Sequence, residues 1–311
     1  MKVLLTDQVF PSVEIERTLL SEAGHELVIA TSDEEARQHL VDADAVLTTY
    51  HPLPADVLAT MQQARIIARY GIGVDNIDLA AAESRGITVT NVPDYCVEEV
   101  AEHAVAMALA IHRRLQDADA ATRRGDWRIS SVRPIHRLST LTAGFLGFGR
   151  IGRKVAATMA TLGCRIITHD PYASKLPPSV TAVSLDLLLA QSDLLFLHAP
   201  LTPDTHGIIS ADAITRMPPK AMVINVARGP LVVLEDLLAA LRDGRLGGAG
   251  LDTFPVEPVD PELLTDIPNL LVSPHSAYYS EEALKESQRK AVGQIIKVLS
   301  GQKADYALAG S

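Results

Sequence analysis

Cysteine, basic charge and long apolar runs are all scarce in this chain. Its two cysteines, Cys96 and Cys164, lie far apart and form no metal-ligand cluster. Both read as small core residues in a reducing compartment, and no metal is expected. Lys and Arg number 28 against 38 Asp and Glu, a net charge of −10. That balance argues against nucleic acid as a direct partner, since phosphate binding favours a basic surface. No stretch of about 18 uninterrupted apolar residues exists, so no transmembrane helix is expected. The opening MKVLLTD meets an acid at Asp7, too soon for a signal peptide, and reads as a first strand. Cytoplasm is the default location. What is present is a hydrophobic fraction of 47% and a mean hydropathy of +0.15, the composition of a well-packed chain. Its 311 residues suit two domains of ordinary size.

The densest signal lies between Thr142 and Asp170. The apolar run from Ala143 to Phe148 reads as a buried strand entering Gly147-Phe148-Gly149-Arg150-Ile151-Gly152, a G-x-G-x-x-G. A helix follows over Lys154–Leu162, with Val155, Met159 and Leu162 on one face. A second strand, Arg165–His169, ends on Asp170, 18 residues beyond the last glycine. This is the order a dinucleotide requires. Gly147 permits a tight turn, Gly149 lets the backbone approach a pyrophosphate, and Gly152 lets helix and strand pack closely. The helix N-terminus offers unpaired N–H groups to the phosphates. Asp170 would accept hydrogen bonds from the adenosine ribose and repel a 2′-phosphate, which selects NAD over NADP. The competing reading is a strand–helix turn without a ligand.

Elsewhere, β-type runs alternate with helical ones, the pattern of parallel sheets covered on both faces. Residues 1 to about 95 hold strands near 3–5, 27–29, 45–49, 65–69 and 87–90, without a glycine fingerprint after the first. Their segment Arg69-Tyr70-Gly71-Ile72-Gly73-Val74-Asp75-Asn76-Ile77-Asp78 carries two glycines just beyond a strand. It is either an anion-binding loop assisted by Arg69, or a plain turn with Asp78 capping the next helix. Asn91–Tyr95 reads as a hinge, and one long helix is expected from Val97 to about Arg124, buried against a core, a second subunit, or both. His103 and His112 lie on it with no assigned role. Later strands are expected at 194–197, 222–226, 248–251 and 270–272. A final helix beyond Ser280 is expected to return to the first domain. The expected fold is α/β, two doubly wound parallel-sheet domains. A Rossmann domain, 97–283, is inserted into a flavodoxin-like substrate domain, 1–96 plus 284–311.

Three further motifs sit where strands of the second domain end, the place where such sheets bind ligands. Ile224-Asn225-Val226-Ala227-Arg228-Gly229 ends on an arginine, suited to gripping a carboxylate in two parallel bonds or to a surface ion pair. Gly250-Leu251-Asp252-Thr253-Phe254-Pro255-Val256-Glu257-Pro258 supplies two acids. Val272-Ser273-Pro274-His275-Ser276-Ala277-Tyr278 supplies a histidine. A carboxylate beside an imidazole raises its pKa and fixes its tautomer, which suits it to taking and returning an alcohol proton.

Together, GFGRIG, HAPLTPDTHGII, INVARGPLVV, GLDTFPVEP, PHSAYYS, RYGIGVDNID and NVPDYCVEEVAEHA resemble the D-isomer-specific 2-hydroxyacid dehydrogenases, from about Leu47 to Lys290. Within that family the chain resembles the D-3-phosphoglycerate dehydrogenases and the bacterial relatives of the C-terminal-binding-protein corepressors. The resemblance implies Arg228 as the substrate-carboxylate arginine, His275 as acid–base residue and Glu257 as its partner. It implies Gly71, Ile72, Gly73 and Val74 as a substrate loop, with Arg69 and Tyr278 at the pocket. It assigns NAD contacts to Arg150, Ile151, Asp170, Pro200, Thr205, Val226, Ala227 and Asp252. It further implies a homodimer through the NAD domain, which would bury the helix after Val97. Tyr278 stands where the corepressor branch usually has tryptophan, and Glu257 argues against formate as substrate. The expected activity is reversible hydride transfer between NAD(H) and a small D-2-hydroxy acid such as phosphoglycerate, or glyoxylate or hydroxypyruvate. The alternative is an NAD(H)-sensing interaction protein with little turnover.

Overall fold

The computed structural model describes residues 1–309, without the side chain of Ser131. Contacts divide the chain into two compact units, Met1–Tyr95 with the chain from Ser280 onward, and Cys96–Tyr279. The first unit opens with β1 (Lys2–Leu5), α1 (Glu14–Glu22), β2 (Glu26–Ile29), α2 (Asp33–Leu40) and β3 (Ala45–Thr48). It continues with α3 (Ala55–Thr60), β4 (Ile66–Arg69), α4 (Leu79–Ser84) and β5 (Thr88–Thr90). The second unit begins with α5 (Val97–His112), α6 (Leu115–Arg123), β6 (Thr142–Leu146), α7 (Arg150–Thr161), β7 (Arg165–His169) and β8 (Val180–Ala182). Then come α8 (Leu185–Gln191), β9 (Leu194–Leu197), α9 (Ala211–Arg216), β10 (Met222–Asn225), α10 (Leu234–Arg242), β11 (Gly248–Leu251) and β12 (Leu270–Val272). The chain closes the first unit with α11 (Glu281–Leu299) and β13 (Ala307–Ala309).

The first sheet runs β13-β5-β4-β3-β1-β2, parallel except for β13. Its order reverses between β1 and β3, the flavodoxin-like arrangement. Val46, Leu58, Ile67 and Val89 build its core, and α11 packs on α1, β3 and β4. The second sheet runs β12-β11-β10-β9-β6-β7-β8, all parallel. Read from β6 as its first strand, this is the Rossmann order with one strand added, reversing between β6 and β9. Strands buried on both faces need continuous apolar sequence, which is why β9, Leu-Leu-Phe-Leu, reads as a plain hydrophobic run. Among the described residues, serine or aspartate caps start five of the eleven α-helices: the side chains of Ser32, Asp78, Ser184, Ser210 and Ser280 each accept a first-turn N–H.

The single helix expected over Val97–Arg124 is two. α5 stops at His112, Arg114 takes a left-handed φ of 51°, and α6 restarts at Leu115. Up to Ile111, α5 is fixed by packing on β10, β11 and β12. Side-chain-free Gly250 admits Ile111 and Met107, either of which would lie about 3 Å from an added Cβ. Arg114 then pairs with Asp117 in the first turn of α6, at 2.7 Å. Arginine, leucine and alanine are all good helix formers, so propensity gives no hint of the break. Three short elements, β8, α9 and β13, were not expected from the sequence. Cys96 and Cys164 are both buried, and neither forms a disulfide.

Candidate active site

In the second unit, β6 and β9 are in register at Leu146 and Leu197, so Gly147 leaves the sheet beside His198. Gly147 has a φ of +90°, and a Cβ there would lie 2.6 Å from the Ala199 nitrogen. Gly152 touches the turn from the helix side, where a Cβ would lie 2.8 Å from the Gly147 oxygen. Gly149 differs, because nothing lies within 4 Å of a Cβ built on it. Two glycines thus serve internal packing and the third faces open space. Gly149 is also the N-cap of α7, which has neither a side-chain cap nor an acid in its first turn. The first N–H groups of α7 therefore keep their donor capacity for an anion. Asp170 holds the loop's outer edge, accepting from the Phe148 amide at 2.7 Å and the Tyr172 amide at 2.8 Å. The residues present fit a dinucleotide's pyrophosphate at Gly149 and its ribose at Asp170.

His198 was not singled out by sequence. It stacks parallel to Phe145 and Phe196, and its Nε2 is buried without a hydrogen-bond partner. Burial lowers its pKa to about 4, so the ring beneath the glycine turn is neutral. On the next loop the Thr205 hydroxyl donates to the Pro200 carbonyl at 2.7 Å and accepts the Thr202 amide. This ties together the two ends of the segment that carries both expected cofactor contacts.

Asn225, Leu251 and Val272 are register partners across β10, β11 and β12. Val226, Asp252 and Ser273 are therefore the first residues off three neighbouring strands, and Arg228 and His275 each lie two residues beyond a strand's first exit residue. The buried Asn225 amide clamps the first exit, donating to the Arg228 carbonyl at 2.8 Å and accepting the Ala227 amide at 3.1 Å. Gly229 follows because a side chain there would run into the Phe254–Pro255 backbone, which packs this exit against the next one.

His275 and Glu257 meet: Nδ1 lies 2.7 Å from Oε2. Glu257 also accepts the Phe254 amide at 2.9 Å, which folds its own loop. Burial raises the Glu257 pKa. The hydrogen bonds from His275 and Phe254, with the charges of His275 and Arg228, outweigh that and hold it below the ordinary value. An ionised carboxylate only accepts, so the bridging proton sits on Nδ1 and Nε2 is left for chemistry. Tyr278 stands edge-on to the ring at 6.3 Å between centroids. His275 itself has a φ of 51°. Among the described residues no group of three or more His, Cys, Asp or Glu could hold a metal, and no helix is long and apolar enough to cross a membrane.

Asp252 is 1% exposed, and its carboxylate accepts the Ser273 hydroxyl, the Ser276 amide and the Ala277 amide at 2.5, 2.8 and 2.9 Å. Three of roughly four acceptor sites are thus filled within the unit. Sequence reading placed Asp252 at a strand end but missed this wrapping. In the first unit, Arg69 donates through Nε to the Thr49 carbonyl, and its guanidinium lies over Gly71 where a Cβ would clash. Asp78 does cap α4, through the Ala81 amide at 2.9 Å. The cap and the glycine loop coexist in one segment.

A model of the NAD-binding domain of the D-isomer specific 2-hydroxyacid dehydrogenases matches residues 105–277. Glycerate dehydrogenase of Methylorubrum extorquens is 36% identical over 277 residues, covering 86% of this chain and 87% of that protein. D-3-phosphoglycerate dehydrogenase of Methanocaldococcus jannaschii is 35% identical over 311 residues, 98% of this chain but only 59% of its own length. The chain thus spans little more than half of that relative. A solved D-lactate dehydrogenase from Aquifex aeolicus, complexed with NAD and lactic acid, superposes with a TM-score of 0.88 at 28% identity, covering 97% of this chain and 96% of that one.

Proposed function

The chain belongs to the D-isomer-specific 2-hydroxyacid dehydrogenases, and from that premise we propose that it interconverts a short D-2-hydroxy acid and its 2-oxo acid. It is an NAD-dependent oxidoreductase acting on CH–OH donors. The Gly147–Gly152 turn and Asp170 would hold the nicotinamide cofactor, which when bound would supply the hydride chemistry at the substrate's C2. Every other part of the proposal concerns this chain's side chains. Arg228 grips the substrate carboxylate and draws electron density from the neighbouring carbonyl. His275 Nε2 gives a proton to that carbonyl oxygen in reduction and takes it back in oxidation. Glu257 keeps the proton on Nδ1 and stabilises the imidazolium. In the first unit, the Gly71–Val74 loop with Arg69 is a further carboxylate-binding element, through the amides beyond Gly71, whose own N–H donates to the Arg69 carbonyl at 3.0 Å. Pro200, Thr205, Val226 and Ala227 line the cofactor side, and Tyr278 packs edge-on against His275. The observation that carries the reading is the 2.7 Å pairing of His275 with Glu257.

The near full-length match to a glycerate dehydrogenase supports hydroxypyruvate as the first substrate to assay, with glyoxylate and phosphohydroxypyruvate beside it. A homodimer through the second unit and a cytoplasmic location complete the proposal. Exposed Leu115, Trp127 and Ile129 on the segment after α5 support the dimer, and sedimentation tests it. The deciding experiment is NADH oxidation against a panel of 2-oxo acids, with NADPH and His275→Asn as controls. Asparagine keeps the left-handed backbone of position 275 while removing the base. Turnover on one acid that the variant loses by about 10²-fold or more supports the proposal. Undiminished kcat in His275→Asn overturns the acid–base assignment. Silence on all acids with tight NADH binding turns the reading toward NAD(H) sensing.

A further inference from the structure

Beneath the His275 loop lies a three-residue chain that the proposed chemistry does not use directly. His103, on α5, places Nε2 2.8 Å from the Ser273 hydroxyl, which lies 2.5 Å from Asp252 Oδ1. Directions follow from donor and acceptor capacity. The carboxylate only accepts, so the single Ser273 proton points to Asp252, and Ser273 must accept from His103. The order is His103 Nε2–H to Ser273 Oγ–H to Asp252. The same carboxylate is the core around which residues 273–277 turn: it accepts the Ser276 and Ala277 amides, while the Asp252 carbonyl accepts the His275 amide at 2.8 Å. His275 is thus held in its left-handed conformation by three bonds to one nearly inaccessible residue. Among the described residues no Lys or Arg is seen in an ion pair with Asp252, and the side chain that approaches its Oδ1 from α5 is His103, with Nε2 at 3.7 Å. A buried carboxylate with fewer donors reorients or takes a proton, and either change moves the loop wrapped around it.

We infer that His103 and Ser273 are positioning residues for catalysis: they lock the Asp252 carboxylate and so set where His275 Nε2 stands. The inference rests on His275 being the proton donor and acceptor. It assigns a purpose to the α5 histidine that a 170-residue sequence separation conceals. Four variants of the full chain test it. His103→Leu and Ser273→Ala remove a donor. His103→Gln and Ser273→Thr keep one at a similar reach. The expected result is a kcat lower by about 10- to 100-fold in the first pair, the scale of a misplacement near 1 Å. NADH affinity should stay within about twofold, the deuterium isotope effect with 4-deuterated NADH should rise, and the second pair should recover most of kcat. Unchanged kcat in both donor-removing variants overturns the inference, as does a loss the conservative variants fail to restore. So does a loss matched by equal losses of NADH binding and melting temperature. His275→Asn separates the two levels. If it is inactive while the donor-removing variants are normal, only the positioning inference fails. If it is active, the underlying acid–base reading fails.

Discussion

Substituting Gly149 by alanine separates binding from folding at the glycine turn. The new methyl meets no atom within 4 Å, and the φ of −74° is one alanine adopts without strain. The unfolded chain loses freedom, which favours folding by about 0.4–1 kcal/mol, while alanine caps α7 less well than glycine by a similar amount, so stability should change by less than about 1 kcal/mol. The same methyl occupies the space a pyrophosphate needs. Losing one amide-to-phosphate hydrogen bond costs about 1.5–3 kcal/mol. Steric displacement of the diphosphate adds about 1–3 kcal/mol, by analogy with overpacking. The sum, about 3 kcal/mol or more, raises the NADH dissociation constant roughly a hundredfold. Gly152→Ala is the counter-case: its Cβ would lie 2.8 Å from the Gly147 oxygen, so it should lower the melting temperature. Fluorescence titration with NADH and thermal unfolding read both variants. Wild-type NADH affinity in Gly149→Ala would refute a cofactor at this turn. A melting temperature lowered as far as in Gly152→Ala would refute the open space at residue 149.

Two further predictions concern protons. Glu257→Gln removes the anion that fixes the His275 tautomer, and kcat should fall by about 10²- to 10⁴-fold with NADH affinity retained. Because the folded Glu257 pKa is depressed, the pair's contribution to stability is present above the ordinary value of 4.5 and disappears as pH falls through the folded pKa. Denaturant midpoints of wild type and variant should therefore converge only below that range. His198, with a pKa near 4 when folded against 6.5 in the unfolded chain, binds its proton more readily once unfolded. The wild type should lose up to about 3 kcal/mol between neutral pH and pH 4, a loss that His198→Phe should not show. Parallel pH profiles for the two would contradict a buried neutral ring.

What sequence made legible follows from how local each signal is. Strands 194–197, 248–251 and 270–272 were readable because sheets covered on both faces demand unbroken apolar runs. The glycine turn was readable because a φ of +90° and two close backbone approaches exclude side chains at fixed spacing. Arg228 and His275 stood out as polar groups just beyond apolar strands and Glu257 as an acid in a proline-bracketed loop, although only the fold puts Glu257 and His275 in contact. The break at Arg114 was hidden, since the packing of α5 on the sheet, and no local residue, ends that helix. The edge strands β8 and β13, three residues each, carry too little periodicity to register. The Glu16–Tyr70–Gln288 cluster was also hidden: a 0%-exposed carboxylate accepts the Tyr70 hydroxyl at 2.9 Å and the Gln288 amide. Its members are separated by tens to hundreds of residues, and pattern reading in a single sequence does not pair such positions.

The left-handed backbone at His275 narrows the routes by which this site can decay. Asparagine, aspartate and glycine take that conformation most readily, while β-branched residues strain it. A descendant that loses turnover but keeps its fold would therefore pass through asparagine or glycine at this position, leaving the Asp252 cage undisturbed. Genetic drift in such a lineage would carry a recognisable scar, a Ser-Pro-Asn or Ser-Pro-Gly where this chain has Ser273-Pro274-His275, behind an intact aspartate at the end of the preceding strand. Loss by a β-branched residue would instead unwind the loop, and the lineage would shed the cage along with the chemistry.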